Sequence, residues 1–331
     1  AAVVWSALSL IALLAGTGAI LFFFGRFHYL GWHGRRGAKV QLTPGDISPS
    51  QRASLKFLVL AAVLFLLQVL TGAATAHYRV EPGSFYGLDI SGWLPSNVLR
   101  TWHLQLAVFW IATAYVGGGL FLASAIGGRE PRRQTLLINL LAGALAVVVF
   151  GSLAGQWLGI RKLLNPVWYW FGDQGWEYLE IGRAWQILLV IGFVLWAFLL
   201  VRAVRPALKD PAQKEMTILF LVAAFAIPFF YLPALFFGST TAYTIVDTWR
   251  FWIIHLWVEG FFELFATVMV ATIFFKLGMV SRRTATRVIY LDAVLFLGAG
   301  ILGTGHHWYW TGQTSFSMGL SATSTSDGRS S

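Results

Sequence analysis

The sequence predicts an all-α, polytopic transmembrane helix bundle, and three observations carry this prediction. Of its 331 residues, 57% are hydrophobic and only 11% are charged, which is typical of a membrane protein and not of a soluble domain. The apolar runs are long and continuous, without the alternation of barrel strands. Many of the 27 Phe, 16 Trp and 10 Tyr residues lie near the ends of these runs, where amphipathic rings favour the membrane interface.

Eight apolar runs are each near or above the ~20 residues that a helix needs to cross a bilayer. They lie at 3–25, 54–76, 100–126, 134–158, 184–204, 215–237, 249–278 and 285–312. The 215–237 run contains Pro228 and Pro233, so we expect a kink there. Residues 1–313 are therefore predicted to form one transmembrane helical domain. The tail, 314–331, is rich in Ser, Thr and Gly and is predicted to be disordered.

The charge distribution indicates the partner and the orientation of the chain, and the absence of cysteine limits the possible metal ligands. The net charge is +10, but the basic residues sit in short loops between apolar runs, which excludes a nucleic-acid partner and leaves the lipid bilayer. Most of them fall in the loops at 26–56, 129–133, 202–214 and 276–287. The positive-inside rule predicts that this side is cytoplasmic, so that both ends of the chain lie on the outer side.

Cysteine is absent, so a metal would need His, carboxylate or solvent ligands.

Five ionisable side chains fall within the last two apolar runs. His255, Glu259 and Glu263 are four residues apart, which stacks them on one helical face, and His306 and His307 end the next run. Ionisable groups at membrane depth are costly and are functional by default. Imidazole and carboxylate suit iron, zinc or manganese. The alternative, in which the histidines bridge helices and the glutamates line a water cavity, explains one histidine better than it explains all five residues.

Other candidates leave their alternatives open. His103, a few residues inside the 100–126 run, could ligate a haem in the bundle, or it could simply be hydrogen-bonded. His77 and Glu81, at the outer interface, could bind and deprotonate a quinol, or they could be ordinary interfacial polar groups. Glu177 and Glu180 precede the fifth run. They could favour the helix dipole or supply hard oxygen ligands for calcium.

These motifs resemble the catalytic subunit of bacterial nitric oxide reductase in its single-chain, quinol-dependent form, a member of the haem-copper oxidase superfamily. The resemblance runs over 1–313. The segments that carry it are His255–Glu263, Gly303–His307, Thr75–Glu81, Arg100–Ala107, Gly155–Trp157 and Gln174–Tyr178.

The resemblance implies a non-haem iron bound by His255, His306 and His307, with Glu259 as its carboxylate ligand. Glu263 would set the charge beside the iron and relay protons. The reaction would reduce two NO to N2O and water. Electrons would pass from quinol through a low-spin haem b to a high-spin haem b paired with the iron. The implied reaction would be a step of respiratory denitrification in a bacterial cytoplasmic (inner) membrane.

The same resemblance implies roles for the remaining candidates. His103 would be one axial ligand of the low-spin haem b. Glu177 would bind calcium between the haem propionates, with Glu180 beside them, and His77 and Glu81 would form the quinol site.

Two competing hypotheses remain. Oxygen-reducing members of the superfamily place Tyr four residues after the first metal-binding His and use copper; the residue here is Glu259, and a hard carboxylate favours iron. An oxygen-reducing haem-copper oxidase subunit is the second hypothesis. A non-catalytic membrane protein, either an assembly partner or a remnant, is the third.

The resemblance also implies parts that this sequence lacks. These are a soluble domain before Ala1 and a later helix with the second ligand of the low-spin haem and the axial ligand of the high-spin haem. Met318–Thr323 briefly follows that helix before the sequence becomes polar. We therefore expect a truncated or frameshifted chain that retains haem weakly and does not turn over by itself. Its partner would be the missing remainder of the catalytic chain, and a homodimer is left open.

Overall fold

The computed structural model describes residues 47–84, 87–308 and 314–326, together with short stretches between 11 and 27. Within this described part, seven helices are long and apolar enough to cross a membrane, and no strand occurs. They are α1 (Pro49–His77), α2 (Ser96–Gly127), α3 (Gln134–Ile160), α4 (Arg183–Val204), α5 (Lys214–Leu235), α6 (Tyr243–Lys276) and α7 (Arg282–Trp308). The predicted all-α, multi-pass bundle is confirmed. Most of the predicted 3–25 span lies outside the described residues.

Local signals explain where α1 starts. Ser48 caps the helix, because its hydroxyl accepts from the Gln51 amide at 3.2 Å while its own amide donates to Gln51 Oε1 at 3.0 Å. Pro49 occupies the first helical position, where its missing amide hydrogen costs nothing. The helix therefore starts five residues before the apolar run from which its span was predicted.

The main core lies between α2, α4, α5 and α6. Trp196, Trp257, Phe220 and Phe265 are each at most 1% exposed there. Ring packing joins them, with Phe265 meeting both Trp196 and Phe220 at centroid distances of 5.6 and 5.7 Å. Apolar side chains on the outer faces of the same helices stay exposed, as expected where lipid is the solvent.

Helices α5, α6 and α7 are irregular. Pro228 lies inside α5, and Pro233 belongs to the 3-10 turn Leu232–Leu235 that ends it, at the place where a kink was predicted. Helix α6 changes to π-helical geometry over Ile253–Phe261. Helix α7 has a π-helical segment at Phe296–Gly300 and ends in 3-10 geometry at Thr304–Trp308. These segments carry the candidate metal ligands.

Of the tail predicted to be disordered, 314–331, the structure describes residues 314–326, and 327–331 lie outside the described residues. A helix, α8, covers Ser315–Ser326 and packs against the end of α7. Ser321 is buried there, and its hydroxyl donates to the Gly303 carbonyl oxygen at 3.1 Å. Gly305 leaves room for this approach, because a Cβ on it would lie 2.8 Å from the Ser321 Cβ. Small residues were interpreted as a sign of disorder, but here they allow close packing.

Candidate metal centre

Four side chains converge between α6 and the end of α7. One ligand atom each from His255, Glu259, His306 and His307 lies within 4.8 Å of all the others. Ligands about 2.1 Å from a single ion lie at most about 4.2 Å apart. The cluster is therefore close to the size that one ion requires, and small side-chain rotations would close the difference.

The π-helical segment positions the first two ligands. His255 and Glu259 face each other within it, with Nδ1 of the imidazole 2.8 Å from Oε2 of the carboxylate. His255 is only 8% exposed, and its Nε2 donates to the Gly300 carbonyl oxygen at 2.6 Å. That bond places a proton on Nε2, so the lone pair of the neutral ring lies on Nδ1 and points into the cluster.

The 3-10 turn at the end of α7 supplies the other two ligands. His306 Nε2 and His307 Nε2 are 3.0 Å apart, and His307 Nε2 is 3.2 Å from His255 Nδ1 and 3.4 Å from Glu259 Oε2. Phe251 stacks on the His307 ring with a centroid distance of 5.0 Å and an interplanar angle of 15°. This contact fixes the plane of the ring before any ion binds.

The chemistry of these contacts fits a bound cation. Lone-pair atoms repel each other at about 3 Å unless a proton or a metal ion lies between them. Protonating every pair would concentrate positive charge in a membrane interior. A single divalent ion satisfies all four donors at once, and three imidazoles with one carboxylate suit iron or zinc.

A phenylalanine sets the distance between the two helices. Phe296, in the π-helical segment of α7, lies against Gly260 and Gly300, and a Cβ on either glycine would overlap its ring. The same ring contacts Phe261 with a centroid distance of 4.7 Å. The two π-helical segments therefore meet through the Phe296 ring. On α6 the contact lies at Gly260, next to Glu259, and on α7 it lies at Gly300, whose carbonyl accepts from His255.

Glu263 lies outside the cluster. It sits in the first turn of the α-helical segment Phe262–Lys276 and is exposed. Its carboxylate is close enough to Glu259 and Asp292 to interact electrostatically. The resemblance places Glu263 beside the iron without binding it, and here Glu263 lies one turn beyond the four ligands.

His103 lies elsewhere, where α2 packs on α1. Its Nδ1 donates to the Gln68 carbonyl oxygen at 2.8 Å. The ring lies against Gly72, where a Cβ would be 2.5 Å from His103 Cε1. His103 is thus positioned by two residues of α1 that no sequence motif marked.

His77 and Glu81 are brought together. His77 Nε2 lies 2.9 Å from Glu81 Oε2, just where α1 ends. The carboxylate also accepts from the Ser84 hydroxyl and from the Gly87 amide, so the loop after α1 fixes its orientation.

Similarity to known proteins agrees with this geometry. Residues 52–326 match the family described as Cytochrome C and Quinol oxidase polypeptide I. The chain belongs to this family. It is also 26% identical over 268 residues to a nitric oxide reductase subunit of Stutzerimonas stutzeri, a match that covers 80% of this chain and 53% of that protein. The chain thus spans about half the length of the curated relative it matches.

Membership of the quinol oxidase polypeptide I family makes the chain a multi-pass membrane protein of an oxidoreductase family that carries haem and a second metal. The four-ligand cluster fits the second metal. His103 is suited to one axial position of a haem, because a neutral ring that donates through Nδ1 has its lone pair on Nε2. That nitrogen lies 3.4 Å from the Gln68 side-chain amide, a contact that iron would replace. Within the described residues, the remaining histidines are His77 and the three of the cluster.

Calcium fits less well. Glu177 forms an ion pair with Arg100, and no second group of three or more metal-ligating side chains occurs in the described part of the chain. Calcium takes six to eight oxygen ligands. The protein groups around Glu177 do not supply them, so calcium at Glu177 stays a prediction.

The loop between α3 and α4 holds one buried carboxyl group, Glu180, and one half-buried group, Asp173. Burial raises the pKa of Glu180 to about 9, with the nearby Asp173 adding to the rise and Arg100 opposing it. Burial likewise raises the pKa of Asp173 to about 6. Glu180 therefore carries a proton at neutral pH, which the helix-dipole interpretation of the sequence did not anticipate.

An ion pair near the cluster was not predicted from the sequence. Asp247 is 1% exposed and lies 2.6 Å from the Arg250 guanidinium, one turn before Phe251. The signal was present, because an Asp and an Arg three residues apart at the start of an apolar run are as costly as the ligands themselves.

Proposed function

We propose that this chain carries the catalytic metal centre of a quinol-dependent nitric oxide reductase. The reaction joins two NO with two electrons and two protons to give N2O and water. The observation that carries the proposal is Glu259, whose carboxylate oxygen lies 2.8 Å from His255 Nδ1 within a histidine cluster. A hard oxygen ligand in this position favours iron over copper. The distant similarity to the nitric oxide reductase of Stutzerimonas stutzeri supports the same choice.

The residues of the chain have distinct parts in this proposal. His255, His306 and His307 would hold the iron, and Glu259 would complete the ligand set and neutralise part of its charge. The iron and a high-spin haem would supply the site that binds NO and delivers electrons, and His103 would hold a low-spin haem that supplies those electrons. Glu263, exposed and electrostatically close to Glu259, holds and releases the protons that the oxygen of NO takes up.

His77 and Glu81 form the proposed quinol site. Oxidation of a quinol releases its protons, and an imidazole paired with a carboxylate at 2.9 Å is suited to accept them. The pair lies at the end of α1, where a lipid-soluble quinol can reach it from the bilayer. Glu81 is the more exposed partner, with 40% of its side chain accessible against 16% for His77. It can therefore pass a proton to water.

Family membership also favours a second candidate, oxygen reduction, because the family includes cytochrome c and quinol oxidases. The two functions differ in the metal. Copper in the histidine cluster would support an oxygen reductase, and iron would support a nitric oxide reductase.

Metal analysis of the purified chain tests the proposal without requiring turnover. We expect one non-haem iron per chain, bound in preference to copper, and its loss in His255→Ala. When the remaining haem-ligating segments of a catalytic chain are co-expressed with it, membranes that contain the wild-type chain should consume NO with a quinol as the donor, and those with His255→Ala should not. Copper at one per chain would contradict the proposal in favour of oxygen reduction, and equal NO consumption by the two membranes would favour a non-catalytic protein.

A further inference from the structure

A pocket lined by basic residues lies at the end of α3 and α4 that is predicted to be cytoplasmic. Its walls are the loop between α2 and α3, the last turn of α4 and the residues that follow it, and it is a cavity of about 560 Å³ that opens to solvent. We call it the basic pocket; its lining side chains are Arg129, Pro131, Arg132, Arg202, Arg205, Pro206 and Lys209. No carboxylate lines it, and within the described residues none of its five cations has a salt bridge.

Two carboxylates adjacent in sequence to lining residues are bonded elsewhere. Glu130 oxygens accept from the Ser50 hydroxyl at 2.7 Å and the Thr135 hydroxyl at 2.6 Å. Asp210 accepts from the Ala212 amide at 2.9 Å and from the Gln213 side-chain amide at 2.8 Å. The pocket therefore keeps an uncompensated positive charge. Positive charge spread over a loop surface would orient the protein in the membrane equally well, so its concentration in one pocket calls for a specific anion.

The pocket is held rigid by its two helices. The backbones of α2 and α4 meet at Gly127, where a side chain would overlap the Ala203 carbonyl. The buried amide of Gln134 donates to the Leu199 carbonyl oxygen at 2.9 Å. Arg202 donates to the Arg132 carbonyl oxygen at 2.7 Å. Because these contacts fix the loops relative to each other, binding an anion there requires little ordering.

An apolar groove runs along the same two helices. It lies between α3 and α4 and has a volume of about 240 Å³. We call it the apolar groove; among its lining residues are Leu141, Ala144 and Val148 of α3 and Leu188, Gly192 and Leu195 of α4. At 1.5 Å per residue, Leu141 lies about 10 Å from the start of α3. The exposed side chains of Leu140 and Phe198 extend the apolar surface toward the pocket.

We infer that the basic pocket and the apolar groove together bind one anionic glycerophospholipid. The phosphate lies among the arginines, which recognise phosphate through bidentate hydrogen bonds, and an acyl chain lies in the groove. Charge complementarity selects the headgroup, and the length of the groove along the bilayer normal suits a chain and not a soluble anion. The inner leaflet supplies anionic lipids to basic segments at this depth. The inference does not depend on the proposed function.

Native mass spectrometry of the full chain in detergent tests the headgroup site. We expect one dioleoyl phosphatidylglycerol per chain to be retained in preference to dioleoyl phosphatidylcholine. The double variant Arg132→Gln/Arg205→Gln should weaken retention roughly 30-fold, since each basic residue near the surface contributes about a factor of five. Arg283→Gln/Arg287→Gln removes the same charge from α7, outside the pocket, and should change retention little. Equal retention of the two lipids, or equal loss in both variants, would overturn the inference.

A second pair of variants tests the groove with the charges intact. Ala144→Phe fills the groove and should reduce retention of phosphatidylglycerol. Gly143→Phe adds the same ring where a Cβ meets no atom within 4 Å, so it should leave retention unchanged. Inorganic phosphate serves as the headgroup alone. If phosphate raises the melting temperature as much as phosphatidylglycerol does, or if Ala144→Phe retains the lipid fully, the pocket binds a free anion and the lipid assignment is wrong.

Discussion

The two helix pairs that carry histidines differ in the regularity of their backbones. Helices α1 and α2 are uninterrupted over 29 and 32 residues, and His103 projects from one toward the other. Helices α6 and α7 instead contain two π-helical segments and a 3-10 end, all within the region of the four-ligand cluster. One ring can be accommodated by a single glycine, Gly72, on the facing helix. Bringing four ligands to one point requires the backbone itself to change.

This difference follows from the geometry of helices. A regular α-helix offers side chains to a neighbour at three- and four-residue spacing, so it presents His255 and Glu259 on one face but cannot also place two adjacent residues, His306 and His307, toward the same point. These two adjacent side chains reach the cluster from the 3-10 turn at the end of α7, Thr304–Trp308. Departures from α-helical geometry cost stability and are common at functional sites.

The largest effect that we predict distinguishes Glu259 from Glu263. Glu259→Gln removes the charged oxygen from the cluster, and we expect iron affinity to fall about 100-fold or more, since even outer partners of metal ligands contribute 10- to 100-fold. Glu263→Gln makes the same chemical change one turn later, outside the cluster, and should leave the iron bound. Iron per chain, measured after dialysis against a graded chelator, provides the comparison. Equal loss in both variants would place Glu263 among the groups that hold the iron.

The next largest effect concerns the contact between the π-helical segments. Gly260→Ala places a methyl group where the Phe296 ring lies. Because that ring is also held by Gly300 and Phe261, it cannot move freely. We expect a loss of about 1–3 kcal/mol in stability, the usual cost of overpacking, together with reduced iron binding. Thermal unfolding and iron content should change together.

A glycine on α2 provides the control for this variant. At Gly118 an added Cβ would lie 3.5 Å from Met269 Sδ, an ordinary contact. Gly118→Ala should therefore keep the iron and gain up to about 1 kcal/mol from helix propensity. If Gly260→Ala behaved in the same way, the close approach of α6 and α7 would not be what assembles the cluster.

The regular helix pair has its own test. Gly72→Ala forces the His103 ring away, because the new Cβ would lie 2.5 Å from Cε1. The gain in helix propensity, about 1 kcal/mol, offsets part of the clash, so stability should change by less than in Gly260→Ala. Haem absorbance in a reduced-minus-oxidised spectrum should fall toward that of His103→Ala, while iron content stays at the wild-type value. Loss of iron in Gly72→Ala would mean that the two regions are coupled.

The sequence predicts the fold and most of the cluster because both depend on strong, local signals. Hydropathy alone marks the spans, since lipid leaves helices as the only form for long apolar runs. Spacing brings His255 and Glu259 together, and adjacency in sequence keeps His306 beside His307. Nothing in the sequence marks the π-helical segment Ile253–Phe261 from which the first two ligands project.

Other features depend on contacts between distant residues, and sequence reasoning missed them for that reason. The position of His103 is set by Gly72 and by a backbone carbonyl more than thirty residues earlier. Helix α8 forms because Ser321 fits against Gly305, and composition alone does not show such a fit. The pairing of Glu177 with Arg100 joins residues 77 positions apart.

The smallest predicted effect lies in the outer loop that contacts α2 through Arg100. Burial raises the pKa of Glu180 to about 9 and that of Asp173 to about 6, while an unfolded chain titrates both near pH 4. The folded protein therefore binds more protons between these values, so stability is full below about pH 4 and falls as pH rises toward 9. In Glu180→Gln the melting temperature should decline less steeply between pH 6 and 9. Asp89→Asn is the control. Hydrogen bonds from Ser91 lower the pKa of Asp89, so its contribution to the stability of the fold is lost only in acid, and this variant should leave the slope between pH 6 and 9 unchanged. An unchanged slope in Glu180→Gln would show that Glu180 is ionised in the folded protein, and the first helix pair would then have a charged carboxylate at its outer end.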